Sequence, residues 1–129
     1  MEEGGQPIRS YRDLKVWQQA MDLAQVCYLK TREFPKEELY GLTSQIRRAA
    51  VSIPANIAEG NGRENRGEYI QFLRVAQGSL KELETHLLLS RRIGLTSMEN
   101  LNVLLKQCDP VGKMLRALIR SLQRGKESR

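Results

Sequence analysis

Apolar side chains recur at spacings of three and four residues along four separate segments of this 129-residue chain. That spacing places them on one face of an α-helix, because a helix completes a turn in about 3.6 residues. Short breaks rich in proline, glycine and polar residues separate the segments, and no stretch shows the strict alternation typical of a strand. The pattern predicts an all-α fold, an antiparallel up-down-up-down four-helix bundle in which short connections make successive helices neighbours.

The first two predicted helices are separated at Phe34-Pro35, because the residue before a proline is pushed out of the α conformation. The second helix is expected to begin near Pro35 and to end at Gly60-Asn61-Gly62. We expect the first helix to bury the stripe Leu14, Trp17, Met21, Ala24, Tyr28 and Thr31. We expect the second helix to bury the stripe Leu39, Leu42, Ile46, Ala49, Ile53 and Ile57.

Gly94 is the candidate end of the third helix, and Thr96 with Glu99 has the spacing of a capping box that begins the fourth. The third helix is expected to bury Tyr69, Leu73, Ala76, Leu80, Leu83 and Leu87. The fourth has the most regular repeat in the chain and is expected to bury Leu101, Leu104, Cys108, Val111, Leu115, Leu118 and Leu122.

Two prolines, Pro54 and Pro110, lie inside the second and fourth predicted helices. Each removes a backbone donor and crowds the carbonyl four residues earlier, at a cost of about 3 kcal/mol in a straight helix. Because the apolar repeat continues past both prolines, we expect a kink at each. The alternative is a pair of short helices joined by a loop.

The length suits one domain, which we place at residues 11–124, with a flexible N-terminus at residues 1–10 and a flexible basic tail at residues 125–129. No apolar run approaches the roughly 20 residues that span a bilayer, and the N-terminus lacks the apolar segment of a secretory signal. We therefore expect a soluble, cytoplasmic protein without a membrane partner. Cys27 and Cys108 fall within apolar helical patterns and are interpreted as small buried hydrophobic residues.

Polar stripes accompany the apolar stripes of the second and third helices. The second helix carries Gln45, Arg48, Ser52, Asn56, Glu59 and Arg63 at helical spacing, and the third carries Glu68, Phe72, Val75, Ser79, Glu82 and His86. An additional patterned face suggests an additional packing partner, such as another subunit. We expect Arg48, Asn56, Glu59, Arg63 and Glu82 to form a hydrogen-bonded and ionic network, and Ser52, Phe72 and Ser79 to join it in assembly. The alternative is a pair of ordinary solvated flanks.

Positive charge is concentrated in the last quarter of the chain. Residues 96–129 carry seven basic and three acidic side chains, a net +4 of the total +6. In the fourth helix a basic stripe lies opposite the leucines, with Asp109 in the same sector, and consists of Lys106, Lys113, Arg116, Arg120 and Arg124. Such a stripe is typical of phosphate-backbone contact in nucleic-acid binding. A solubilising face is the alternative interpretation.

The sequence offers no candidate active site. Its one histidine, His86, has no cysteine or second histidine at metal-ligand spacing, and Glu82 one turn earlier suggests a surface hydrogen bond. The paired Glu-x-x-His motifs of di-metal bundles are missing, and Gly60-Asn61-Gly62 follows a helix rather than the strand required by a phosphate-binding loop. We expect no enzymatic activity, no catalytic residue, no metal and no cofactor.

The run GLTSQIRRAAVSIPANIAEGNGR, residues 41–63, closely resembles the signature of a bacterial four-helix-bundle family first noticed as reading frames in intervening sequences of large-subunit ribosomal RNA genes. Three flanking runs also match the family pattern, namely YRDLKVWQQAMDLA, TREFPKEELYGL and EYIQFLRVAQGSLKELETHL. The resemblance therefore covers about residues 11–95. The family pattern covers Arg47, Arg48, Ser52, Pro54, Asn56, Glu59, Gly60, Arg63, Phe72, Gly78, Ser79 and Glu82.

That family is similar in fold to the accessory variability protein of diversity-generating retroelements. The resemblance implies a ring-like homopentamer and, as partners, nucleic acid and a reverse transcriptase. It transfers no catalytic residue, because the family has no established activity. We therefore expect a non-enzymatic homo-oligomeric scaffold that binds RNA or a ribonucleoprotein through its basic surface. The alternative is a protein-interaction accessory subunit of a retroelement reverse transcriptase.

Overall fold

The computed structural model describes residues 2–3, 6–7 and 9–127 of the chain. The described residues contain four long helices: α1 (Lys15–Thr31), α2 (Leu42–Asn61), α3 (Arg66–Arg92) and α4 (Met98–Glu127). One-turn 3₁₀ helices precede α1 at Tyr11–Asp13 and α2 at Lys36–Glu38. Ahead of the bundle, the two-residue strands β1 (Glu2–Glu3) and β2 (Gln6–Pro7) pair antiparallel.

Each helix packs against its neighbours in sequence, and α1 also packs against α4, which closes the bundle. The most extensive of these pairings is between α2 and α3. The all-α four-helix bundle expected from the apolar repeat is therefore confirmed. Because α1 and α3 run opposite to α2 and α4, one end of the bundle gathers the ends of α1 and α3 with the beginnings of α2 and α4.

The core draws side chains from all four helices. All six residues expected to be buried on α3 are buried, and in α2 Ile46, Ala49, Ile53 and Ile57 are as well. The prediction for α4 holds from Leu101 to Leu115, beyond which Ile119 takes the inner position while Leu118 and Leu122 pack at the edge. Burial of each large aliphatic side chain contributes about 1.5–3 kcal/mol, so the core supplies the main stabilising term.

The buried face of α1 agrees with the predicted one only in part: Leu14, Ala24 and Thr31 are buried as expected, and Trp17 is half-buried. Met21 and Tyr28 are 44% and 42% exposed, and the inward positions are taken by Val16, Ala20, Leu23 and Cys27. Small residues at two of these positions, Ala20 and Cys27, allow α1 to lie close to its neighbours, whereas the predicted stripe included the larger Met21 and Tyr28. The exposed ring of Tyr28 makes a cation–π contact outside the core, where the guanidinium of Arg47 lies 4.8 Å from the ring centroid.

The predicted beginnings of α2 and α4 also require correction. After Pro35 the chain forms a 3₁₀ turn, and α2 begins only at Leu42, so Leu39 is 47% exposed rather than buried. The Glu38 side chain accepts a hydrogen bond from the Leu42 N–H at 3.2 Å, and so it satisfies one of the N–H groups that have no partner within the helix. The cap of α4 is Ser97 rather than Thr96, since its hydroxyl accepts from the Asn100 N–H at 3.0 Å.

Both internal prolines are accommodated without a break. The α-helical conformation continues through Pro54 in α2 and through Pro110 in α4, so the alternative of two short helices is wrong at each place. Gly94 ends α3 as expected, with φ of +82°. Its N–H donates to the Arg91 carbonyl, and the Leu95 N–H donates to the Ser90 carbonyl at 2.8 Å, which together form a Schellman motif.

The division of the chain into a bundle with flexible ends stays a prediction. Residues 1, 4, 5 and 8 of the predicted N-terminal segment, and residues 128 and 129 of the predicted tail, lie outside the described residues. Within the described part, α4 continues as far as Glu127.

Candidate nucleic-acid interface

The predicted basic stripe lies on the solvent side of α4, opposite the buried positions of that helix. All five of its side chains are exposed: Lys106, Lys113, Arg116, Arg120 and Arg124. Asp109 is exposed in the same sector. Within the described part of the chain none of the five forms an ion pair, so their charges are available to an external anion. Their role in binding stays a prediction.

Basic residues of α3 extend this positive surface beyond α4. Arg74 and Lys81 share a groove with Arg116, and the Arg66 guanidinium carbon lies 3.4 Å from the position that a β-carbon at Gly125 would occupy. The sequence hypothesis missed these three α3 residues. They are far from α4 in the chain, and only the antiparallel packing of the two helices brings them beside it.

The polar stripes of α2 and α3 meet through an ion pair between Arg48 and Glu82. The Arg48 Nη2 atom lies 2.9 Å from Glu82 Oε2, and His86 Nε2 lies 3.3 Å from the same oxygen. The hydrogen bond with His86, followed by the charge of Arg48, holds the pKa of Glu82 below its ordinary value, against the opposing effect of partial desolvation. Because the Arg48 and Glu82 side chains are 61% and 38% exposed, solvent screens the pair.

Halfway along the same seam, hydroxyl groups of the two helices bond directly. The Oγ atoms of Ser52 and Ser79 are 2.8 Å apart. The Asn56 amide donates to the Ser52 carbonyl at 2.7 Å and to the Ser52 hydroxyl at 3.0 Å. Ser79 is only 8% exposed, so these bonds satisfy polar groups that the packing of α2 on α3 removes from water.

Near the end of α2, Arg63 contacts both an acid and an aromatic ring. Its guanidinium lies 4.8 Å from the ring centroid of half-buried Phe72, and its Nη2 atom lies 3.6 Å from Glu59 Oε1. The chain passes very close to Phe72 at Gly60, where an added β-carbon would lie 2.7 Å from the Phe72 β-carbon. The eight assembly candidates thus make contacts within one subunit, and their role between subunits stays a prediction.

Arg47, which belongs to the family pattern but was given no role from the sequence, connects α2 to the end of α1. Its Nε donates to the Thr31 hydroxyl at 2.9 Å, and its Nη2 donates to the Tyr28 carbonyl at 3.4 Å. Thr31 is 3% exposed, so Arg47 reaches a polar group at the edge of the core. The structure therefore gives this arginine a structural role.

Large apolar side chains are exposed mainly at the end of the bundle where α1 and α3 end. Tyr40, in the connection before α2, is 93% exposed. Of the twelve large apolar side chains that are exposed in the described part, nine lie at this end: Tyr28, Leu29, Leu39, Tyr40, Leu88, Leu89, Ile93, Met98 and Val103. We call these nine the apolar end; the basic side chains from Lys113 to Arg124 lie toward the opposite end.

The two cysteines are free and buried, as the sequence analysis predicted. Desolvation by burial raises the pKa of Cys27 and of Cys108 to about 12 each, so neither thiol is a nucleophile at neutral pH. Among the described residues, no three His, Cys, Asp or Glu side chains form a group that could hold a metal ion. The same part of the chain contains no helix with the length and hydropathy needed to cross a membrane.

Comparison with known proteins supports the resemblance seen in the sequence. The family model described as "23S rRNA-intervening sequence protein" matches residues 12–117. The fold is similar to the crystal structure of a protein of unknown function from the S23 ribosomal protein family of Bacteroides thetaiotaomicron, with a TM-score of 0.73 and 23% sequence identity. That alignment covers 81% of this chain and 97% of the other. No curated protein matches the sequence.

Proposed function

Because the chain belongs to the 23S rRNA-intervening sequence protein family, we propose that it is a non-enzymatic homo-oligomeric scaffold that binds RNA, or a ribonucleoprotein, through its basic surface. The family description refers to ribosomal RNA, and a net charge of +6 favours association with a polyanion. The proposal covers binding and assembly, and it assigns no chemical step to the protein.

The basic stripe of α4 is the observation on which the proposal depends. Its five cations are exposed, and none forms an ion pair with another described residue. From Lys113 to Arg124 the helix contains no acidic residue. A continuous row of available positive charge attracts phosphates along a backbone, and each contact releases a condensed counterion.

Assembly would multiply this surface. Val75, an apolar member of the α3 polar stripe, is 51% exposed, so a contact between copies along this face would remove apolar surface from water. By the family resemblance we propose a ring of five copies. A ring repeats the stripe around one axis, and the high effective concentration of the remaining sites strengthens many weak contacts together.

A salt series of RNA binding tests the proposal. In the test variant Lys113, Arg116, Arg120 and Arg124 are changed to glutamate. A control variant changes four exposed cations at the apolar end instead, namely Arg32, Lys36, Arg91 and Arg92, so that both variants have the same net charge. We expect binding by the native protein to weaken steeply with salt, binding by the control to keep much of that slope, and binding by the test variant to lose it.

The nucleic-acid proposal is overturned if the test variant binds RNA as tightly as the native protein and with the same salt slope. In that case the second candidate, an accessory subunit that binds a retroelement reverse transcriptase, takes its place. The apolar end supports this candidate, because exposed apolar clusters mark protein contacts. Its test is co-purification with a reverse transcriptase encoded beside this gene. Tyr40→Glu should abolish that co-purification.

A further inference from the structure

A groove of about 400 Å³ lies on the surface between α3 and α4, beside the basic stripe. Its lining residues are Arg74, Gln77, Gly78, Leu80 and Lys81 of α3, of which Leu80 is buried, and Gly112 and Arg116 of α4. Because Arg116 belongs to both the groove and the stripe, the two form one continuous surface.

The groove is positively charged and open to an anion. Lys81 is partly neutralised by Glu84, whose Oε1 atom lies 3.1 Å from its Nζ. Arg74 and Arg116 form no ion pair with any described residue, and no acidic side chain lines the groove. Two unneutralised guanidinium groups on facing helices suit phosphate oxygens, which arginine can bind through two parallel hydrogen bonds.

Two glycines reduce the steric bulk of the groove walls, but only one of them is explained by packing inside the subunit. A β-carbon at Gly112 would lie 3.3 Å from Leu80 Cδ2, so this glycine lets α3 and α4 approach each other. A β-carbon at Gly78 would have no atom within 4 Å, although glycine weakens a helix interior relative to alanine. The missing side chain at Gly78, which is exposed, leaves the α3 backbone accessible where it lines the groove.

The dimensions of the surface suit an extended ligand without exposed bases. Eleven helical steps separate Lys113 from Arg124, a distance of about 16 Å, over which each strand of a duplex carries about five phosphates. None of the described residues in the groove or the stripe is aromatic, so unpaired bases would find no stacking platform. Double-stranded RNA, by contrast, is recognised mainly by shape and backbone contacts.

We infer that the groove between α3 and α4 holds one strand of a nucleic-acid duplex by its phosphodiester backbone, with Arg74 and Arg116 on the phosphates and Gly78 admitting the strand. This inference rests on the proposed function and specifies its ligand class. It also gives α3 residues a part in binding, whereas the proposed function depends only on the basic stripe of α4.

Arg74→Gln gives the sharpest test, with Arg92→Gln as its matched control. Both arginines are exposed on α3 and form no ion pair within the described residues, so each change removes one charge from the same helix. The probe is an RNA duplex of about 16 base pairs, the span of a small duplex-binding domain. We expect Arg74→Gln to reduce the salt slope by about one and Arg92→Gln to leave it unchanged.

A second pair of variants tests the open mouth of the groove without a change of charge. Gly78→Leu should fold, because Gly78 is exposed and an added β-carbon would meet no atom within 4 Å, and it should weaken duplex binding about tenfold. Ala55→Leu adds comparable bulk at an exposed position on α2 and should leave binding unchanged. A polyuridine strand of the same length should bind the native protein more weakly than the duplex does.

The groove inference is overturned if both Arg74→Gln and Gly78→Leu bind the duplex as the native protein does. The proposed function would still stand in that case, provided that the four-glutamate variant of α4 loses binding. Equal or tighter binding of polyuridine would overturn the duplex assignment. Displacement of the duplex by polyglutamate at matched charge would place an acidic protein in the groove instead. If the native protein binds polyuridine but no duplex, the groove inference fails and the RNA proposal stands; if it binds neither at any salt concentration, both fail.

Discussion

A β-carbon at Gly60 would lie 2.7 Å from the β-carbon of Phe72, a separation that two non-bonded carbons do not reach. At this point the backbone of α2 packs directly on α3, and Tyr69 of α3 would also crowd the added carbon, with its Cδ1 atom at 3.1 Å. Gly60 is therefore required for its lack of a side chain, not for an unusual backbone conformation.

Gly60→Ala should destabilise the subunit by about 1–3 kcal/mol, because overpacking outweighs the gain in helix propensity. Gly78→Ala is the matched control, since the same substitution in a neighbouring helix meets no atom within 4 Å and should stabilise by about 0.5–1 kcal/mol. Urea denaturation followed by circular dichroism measures both. Equal effects of the two substitutions would contradict the close approach at Gly60.

Acid should remove a contribution that Glu82 makes to stability. Its contacts with His86 and Arg48 hold its pKa in the folded state below the ordinary value of 4.5. They therefore stabilise the fold above that pH, and the contribution is lost as pH falls through the lowered pKa. We expect the free energy of unfolding of Glu82→Gln to fall less steeply below pH 4.5 than that of the native protein, as measured by urea denaturation at a series of pH values. Glu37→Gln, at an exposed glutamate with no ion pair among the described residues, should keep the native curve.

The buried thiols should be inert in the native protein. With the pKa of Cys27 and Cys108 raised to about 12, almost no thiolate is present at pH 8, so iodoacetamide should label neither residue until denaturant is added. A neutral buried thiol also stabilises the fold below its unfolded pKa of 9.0, and this stability is lost as pH rises toward 12. Mass spectrometry after a timed labelling pulse counts the modified thiols, and rapid native labelling would show that the core opens.

If the proposed oligomer forms, Val75→Glu should dissociate it and leave the subunit folded. Val75 is 51% exposed, so a glutamate there costs the subunit little, whereas burial of that charge between copies would cost several kcal/mol. Met21→Glu is the control, because Met21 is 44% exposed on α1, away from the α2–α3 seam. Light scattering gives the mass of each variant. A native protein that is monomeric at micromolar concentration would contradict assembly altogether.

Apolar periodicity predicted the fold well where a helix has one apolar stripe. On α3 every expected core position is buried, because one apolar stripe runs unbroken from Tyr69 to Leu87, whereas the apolar residues beside it, such as Phe72 and Leu88, form no stripe of that length. On α1 the buried face is rotated from the predicted stripe toward smaller residues, such as Ala20 and Cys27, so that Met21 and Tyr28 are exposed while Ala24 and Thr31 stay buried. Close packing against α2 and α4 decides between these faces, and this information is not local to α1.

The candidate binding surface was predictable only in part for the same reason. The α4 stripe follows from the spacing of residues on one helix, and its exposure agrees with that spacing. The contribution of Arg74 and Lys81 depends on which faces of α3 and α4 meet, and the steric role of Gly60 depends on a distance between helices. Such relationships arise between elements, so a one-dimensional pattern does not contain them.

The separation of the apolar end from the basic surface gives each subunit a direction. The 30 residues of α4 extend about 45 Å, several times the roughly 8 Å over which salt screens charges in a cell. Cargo at the basic surface should therefore be released by a salt wash that leaves cargo at the apolar end in place, and mild detergent should do the reverse. In a ring related by rotation alone, every copy points the same way about the axis. If the subunits form such a ring, it would present two unlike sides, and a partner bound at one side would not contact a partner bound at the other.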